Sequence, residues 1–351
     1  MQAPSHPSRP GKRTRVIAFY LPQFHPIPEN DAFWEKGFTE WTNVRRARPL
    51  FRGHRQPLEP GELGYYDLRD PAIREQQARL ARNHGVDAFC YYHYWFAGRR
   101  VLERPFEEVL ASGRPDFPFC LCWANQSWSG VWHGAPDRVL IEQTYPGPAD
   151  DQRHFESLLP AFEDPRYIRV DDRPLFVVFE PLDLPDRRAF VDRWQAMARE
   201  AGLPGLFLAA VWRRSQTWWN KHHGLDARIA QLAPPLRSAG ATAAVLPYAN
   251  IARHLVPSFA PDGRTIACVY PNWDNTPRCG DRGRVWTGAT PALFARQVRR
   301  ALRWLRTGDD GPDLLFVKSW NEWAEGNYLE PDARYGRGWL ESLSAELERV
   351  V

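Results

Sequence analysis

The 351-residue chain has no apolar run near the roughly 18 residues that a membrane-spanning helix needs. Its opening segment, MQAPSHPSRPGKRTR, is polar and Pro-rich, without the apolar stretch of a secretory signal. These two absences predict a cytoplasmic protein with no membrane span, and residues 1–14 read as a disordered polar tail. Lysine is scarce. Almost all the positive charge is Arg, and the formal net charge is only +4. No basic cluster is dense enough to predict a nucleic-acid partner. Cysteine is sparse too: Cys90, Cys120, Cys122, Cys268 and Cys279 are odd in number and never spaced C-x-x-C. That argues against a disulfide framework and against a zinc site. Cys120 and Cys122 alternate in the apolar run FCLCW and are expected as small core residues.

Several catalytic signatures are also missing. No G-x-G-x-x-G or P-loop follows a strand-like run, and no G-x-S-x-G elbow is present. No D-x-D occurs, and the histidines make neither H-x-H nor H-E-x-x-H. Dinucleotide binding and serine-hydrolase chemistry have no support, and no metal site is expected.

What the chain does have is aromatic residues, 13 % of the total, with 16 Trp. Many Trp sit beside polar residues rather than in aliphatic runs. Indole pairs a flat apolar face with one N–H donor, which suits the apolar faces and hydroxyl rims of sugar rings. The competing reading is that these Trp fill a large core.

Strand-like and helix-like runs alternate. Strands are expected near residues 16–21, 86–95, 117–124, 174–180, 205–212, 225–233, 265–271 and 313–320. Helices carry start and stop signals between them: Asp70 then Pro71, Asp186 closing at Gly202, Thr290 then Pro291. Shorter helices are expected at 105–112, 151–163 and 338–350. Eight continuous apolar strands separated by helices or long loops predict a single α/β domain over 15–351. The architecture is a (β/α)₈ TIM-type barrel with long βα loops. A doubly wound open sheet is the runner-up.

Active sites of such barrels lie at the C-terminal strand ends. Those ends carry Tyr20 and His25; Tyr92, His93, Tyr94 and Trp95; Trp123, Asn125 and Gln126; Glu180; Trp273 and Asp274; and the stretch FVKSWNEWAEGNYLEP. Aromatic, amide, imidazole and carboxylate groups converge there, as in a carbohydrate pocket. Glu322 and Glu325 stand three apart in that last stretch, flanked by Asn321 and Trp323. Cleaving or transferring a glycosyl group usually takes two carboxyl groups. An E-x-x-E pair alone would read as solvated surface Glu. Its place at a strand end among aromatics reverses that. Glu40, beside Trp41 in the first long loop, reads as a substrate contact or as a loop-ordering hydrogen bond. Glu180 and Asp274 divide between pocket and core. His25 and His93 read as hydroxyl partners or as satisfied structural histidines. Asp171–Asp172 reads as a turn. Lys318 shares a face with Glu322, but lies about 13 Å away if the strand stays extended, so no direct pair is expected.

These motifs also carry a resemblance. FYLPQFHPIPEND, GFTEWTNV, LGYYDLRDP, FCYYHYWF, FPFCLCWAN, PNWDNTPR and WNEWAEGNYLEPD resemble the WbsX-type proteins of bacterial polysaccharide gene clusters. Those are similar in turn to glycoside hydrolase family 99, the endo-α-mannosidases. The resemblance spans about Val16 to Tyr335, and it implies a (β/α)₈ barrel without metal or organic cofactor. In family 99 the N-E-W-x-E segment carries both catalytic carboxylates. Carried over, Glu322 would deprotonate the sugar 2-hydroxyl, giving a 1,2-anhydro intermediate. Glu325 would protonate the leaving oxygen and then activate water, with net retention. The chain departs at Gln126, where relatives commonly carry Glu.

Three functions compete. A retaining glycosidase or transglycosylase acting on an oligo- or polysaccharide needs both glutamates and no nucleotide. A glycosyltransferase of polysaccharide biosynthesis needs an activated donor. A non-catalytic carbohydrate-binding barrel needs only the pocket.

Overall fold

The computed structural model describes residues 13–130, 138–213, 224–233, 243–308 and 311–349. All but the last two residues of the expected N-terminal tail lie outside them. Eight parallel strands form the centre: β1 (Arg15–Tyr20), β2 (Ala88–Phe96), β3 (Phe119–Trp123), β4 (Arg173–Val178), β5 (Phe207–Arg213), β6 (Ala227–Gln231), β7 (Thr265–Val269) and β8 (Leu314–Val317). Each pairs with its sequence neighbour, and β8 pairs back onto β1, which also pairs β2. The sheet is therefore closed and has no free edge. The barrel expectation is met at all eight strands, and the open doubly wound sheet is excluded.

The helices form where the caps predicted. Asp70 accepts the N–H of Ala72 at the start of Pro71–Asn83, and Asp186 accepts that of Ala189 at the start of Arg187–Glu200. Thr290 caps the helix Pro291–Arg306 by accepting the N–H of Leu293. The remaining long helices are Arg104–Ser112, Pro148–Glu163 and Gly338–Glu348. Asp171 and Asp172, with φ of 49° and 61°, make the two-residue hairpin turn before β4, as the turn reading expected. Cys90, Cys120, Cys122 and Cys268 are buried free thiols.

Strand alternation sorts side chains into two layers. From β1, Phe19 points inward against Phe316 and Tyr92. Tyr20 points outward and donates to Gln77 of the first long helix at 2.7 Å. From β2, Tyr92 points inward. His93 points outward, to His154 of the helix Pro148–Glu163. This alternation decides which expected site residues can reach the barrel mouth.

Candidate active site

β8 ends at Val317, earlier than the sequence suggested. The chain then turns. Asn321–Glu322 pairs antiparallel with Asn327–Tyr328, and the one-turn 3₁₀ segment Trp323–Glu325 closes this small hairpin. The hairpin presents both Glu322 and Glu325 to the barrel mouth. Gly326 makes its return possible: its φ is +64°, and a Cβ there would stand 2.8 Å from the Asp274 backbone nitrogen. Gly326→Ala is expected to destabilise the protein by more than about 1 kcal/mol. Urea unfolding of the variant checks this; an unchanged midpoint would refute it.

The two carboxylates sit in an ionic cage. Arg278, on the short helix Thr276–Cys279 after β7, reaches Glu325 Oε1 at 2.8 Å through Nη1. Its Nη2 reaches Glu40 Oε1 at 2.6 Å and Glu322 Oε2 at 3.3 Å. Lys318 Nζ lies 3.3 Å from Glu322 Oε1 and 3.7 Å from Glu325 Oε2, and donates to the Tyr92 hydroxyl at 3.1 Å. The expected wide separation of Lys318 and Glu322 is thus overturned. That expectation assumed extended backbone, whereas the chain leaves the strand right at Lys318. Glu40 also accepts the Ala324 N–H at 3.0 Å, tying the first long loop to the hairpin.

Every carboxylate of the cage is buried. Burial pushes the Glu40 carboxyl up to about 7, against Arg278 and with help from the Glu322 charge. For Glu322, burial acts upward, but Lys318 and Arg278 with their hydrogen bonds outweigh it and hold the group below its ordinary value. For Glu325, burial and the nearby Glu322 charge prevail, and the group sits above its ordinary value. Lys318 is desolvated, yet its two carboxylate neighbours raise it and keep it charged. Three carboxylates face two cations, so the cage is neutral when it holds one proton. Two carboxyls pushed in opposite directions are suited to base and acid roles respectively.

A layer behind the cage fixes it. Trp323 stacks on Tyr328 with centroids 3.8 Å apart and donates to Glu330 at 2.6 Å. Glu330 also accepts from Gln77 and Tyr66, and burial pushes it up to about 7. Asn321 brackets Leu21, accepting its N–H and donating to its carbonyl.

A match to the family model described as "Glycosyltransferase WbsX" runs over residues 16–343. The chain belongs to the WbsX glycosyltransferase family, a carbohydrate-active family. The uncharacterized protein WxcX of Xanthomonas campestris pv. campestris is 40 % identical over 95 % of this chain, and the version in a second strain is 39 % identical. The chain spans about half the length of these curated relatives. Among solved structures, a glycoside hydrolase-like protein aligns with a TM-score of 0.62 at 14 % identity, over 99 % of this chain and 97 % of its own. The GH99 endo-alpha-mannosidase from Bacteroides thetaiotaomicron aligns with a TM-score of 0.55 at 15 % identity, over 96 % and 97 %. At that identity the likeness is one of fold.

Within this WbsX-family barrel, the expected site residues separate into groups. Glu40, Glu322 and Glu325 all meet Arg278, and Tyr92 meets Lys318. Tyr94 feels the charges of Glu322, Arg278 and Glu40, and the Trp273 ring lies 5.8 Å from Lys318 Nζ. Asn321, Trp323 and Trp41 are buried in the supporting layer; Trp41 donates to the Tyr66 carbonyl and packs on Trp323. Tyr20, His93, Trp95 and Trp123 face the outer helices, because each falls on the outward phase of its strand. His93 and His154 are both held neutral by burial. Asn125 bonds the backbone of Glu180, and His25 pairs with the Pro22 carbonyl. Gln126 is half-buried on the loop after β3. Asp274 accepts from His54, Gln56 and Thr276, and so organises the β7 loop.

Arg278, the last residue of P-N-W-D-N-T-P-R, carries no local signal of its place among the carboxylates. Among the described residues, no group of three or more His, Cys, Asp or Glu is placed to hold a metal ion. No described helix is long and apolar enough to cross a membrane.

Proposed function

We propose that the chain is a retaining carbohydrate-active enzyme that cleaves or transfers glycosyl units of a polysaccharide. Glu322 acts as the base on the sugar 2-hydroxyl, which attacks the anomeric carbon and gives a 1,2-anhydro sugar. Glu325 protonates the departing oxygen, then deprotonates the incoming water or acceptor hydroxyl. The observation that carries this reading is the cage: two buried carboxyls share Arg278 and Lys318, with Glu322 held low and Glu325 held high. The required starting state, Glu322 ionised and Glu325 protonated, is the one that this arrangement favours.

On this reading kcat/KM should be bell-shaped, its lower limb set by Glu322, held below the ordinary carboxylate value, and its upper limb by Glu325, held above it. The rate rises as Glu322 ionises and falls as Glu325 loses its proton. A rate that climbs steadily through pH 9 would remove the acid role from Glu325. Anomeric NMR during digestion of a candidate surface polysaccharide, without nucleotide, reports the outcome directly. New α-configured ends from an α-linked polymer, absent in Glu322→Gln and Glu325→Gln, are expected. The family's description favours a second reading, transfer from an activated donor. It predicts turnover only when a nucleotide-sugar or lipid-linked donor is supplied.

A further inference from the structure

A cavity of about 540 Å³ opens beside the cage, between the loops that follow β1, β7 and β8. This volume lies within the roughly 300–1,000 Å³ of small-ligand sites. Asp274 and Tyr328 form its wall toward the cage. The Asp274 N–H donates to the Glu325 carbonyl at 2.7 Å, and Tyr328 stacks on Trp323. The cavity therefore stands one residue layer from the carboxylates, within reach of a polymer lying across the barrel mouth.

Its lining includes Trp286 and Trp339, both largely buried, and Tyr335, whose ring carries the Arg334 guanidinium 4.4 Å above it. Its two wall carboxylates are already committed. Asp274 Oδ1 accepts from the Thr276 N–H and hydroxyl, and Oδ2 from His54 Nε2 and Gln56 Nε2. His54 Nδ1 accepts the Leu50 N–H, which leaves the proton on Nε2. Asp332 Oδ1 accepts the Arg334 and Tyr335 N–H groups, and Oδ2 accepts from the Tyr328 hydroxyl and Trp339 Nε1. With those lone pairs filled, neither aspartate has an acceptor left for a ligand.

What remains available is different in character. Arg55 and Arg334 line the cavity from exposed positions, and neither has a carboxylate partner among the described residues. Glu59 is the one uncommitted carboxylate among the described residues of the lining. Asn272 Oδ1 is a buried acceptor with no hydrogen-bond partner among the described residues. Two planar guanidinium groups beside aromatic rings match a carboxylate-bearing ring. Guanidinium binds carboxylate bidentately, the exposed edges of the aromatic wall meet the ring's carbons, and Asn272 accepts a hydroxyl.

We propose that this cavity is a subsite for an acidic saccharide unit, of the uronate class, at a distance along the polymer from the bond handled at Glu322 and Glu325. The assignment rests on the carbohydrate reading of the cage and adds to it the charge of the substrate.

Ligand-observed NMR and calorimetry with glucuronic acid, glucose and UDP test it on the full chain. Glucuronic acid should bind with a Kd on the order of 1 mM, the class of a single weak site. Added salt should weaken that binding, and glucose should bind at least about tenfold less well. The double variant Arg55→Gln/Arg334→Gln should lose roughly tenfold in glucuronic acid affinity. Glu325→Gln should keep wild-type affinity, which separates this site from any failure of the catalytic assignment. Equal binding of glucose and glucuronic acid would overturn the proposal, as would undiminished binding in the double variant. UDP binding more tightly than glucuronic acid, and losing that affinity in the double variant, would reassign the cavity to a nucleotide phosphate.

Discussion

Glu325→Gln is expected to lower turnover of a natural glycoside by about 10²–10⁴-fold, the usual worth of a positioned general acid. The amide keeps an oxygen for Arg278, now 2.8 Å from Glu325 Oε1, so the cage retains its shape. The loss should depend on the leaving group. A sugar oxygen needs a proton to depart, whereas fluoride does not. On a glycosyl fluoride the first step should survive in Glu325→Gln, giving a burst of fluoride release followed by slow turnover, because the second step still needs a base. Glu322→Gln should remove the first step for both substrates, since nothing then deprotonates the 2-hydroxyl. The two variants thus differ in kind. If Glu325→Gln lost equally on fluoride and on the natural linkage, with no burst, the acid assignment would fall.

Arg278→Gln is expected to destabilise the protein by about 3–5 kcal/mol at pH 8, because it strips the main cation from three buried carboxylates. The loss should be smaller at pH 5. In the folded protein Glu40 is raised to about 7 from an ordinary 4.5. A carboxyl raised on folding contributes stability that is fully present below its unfolded value and is lost as pH rises through the folded one. Without Arg278, Glu40 and Glu325 rise further, so the penalty grows above pH 7. Glu322, held low, has the opposite sense: its contribution is present above pH 4.5 and lost as pH falls through its folded value. Arg278 supplies part of that contribution, so its removal again costs most at high pH. Urea unfolding of wild type and variant at both pH values measures the difference. An equal loss at pH 5 and pH 8 would show that Arg278 acts by packing rather than by charge.

The sequence itself was sufficient for the barrel. Continuous apolar runs, capped helices and turn residues are local signals, read over about 5–15 residues, and all eight strands formed in the expected runs, β8 alone stopping well short at Val317. It was also sufficient to single out Glu322 and Glu325 as candidates, because a carboxylate pair among aromatics at a strand end is a local anomaly. The cage was not available in that way. Arg278 stands 44 residues from Glu322 and 238 from Glu40 in sequence, and no periodicity links such positions. Lys318 lies far from Glu322 only on an extended strand, and the strand ends one residue before it. His93, Trp95 and Trp123 were placed near the mouth by their position along the strand, but the pleat turns them outward. Residue type and strand end are properties of the chain. Which face a side chain takes, and which loop supplies the counter-charge, were decided only when β8 closed onto β1 and brought three loops over one opening.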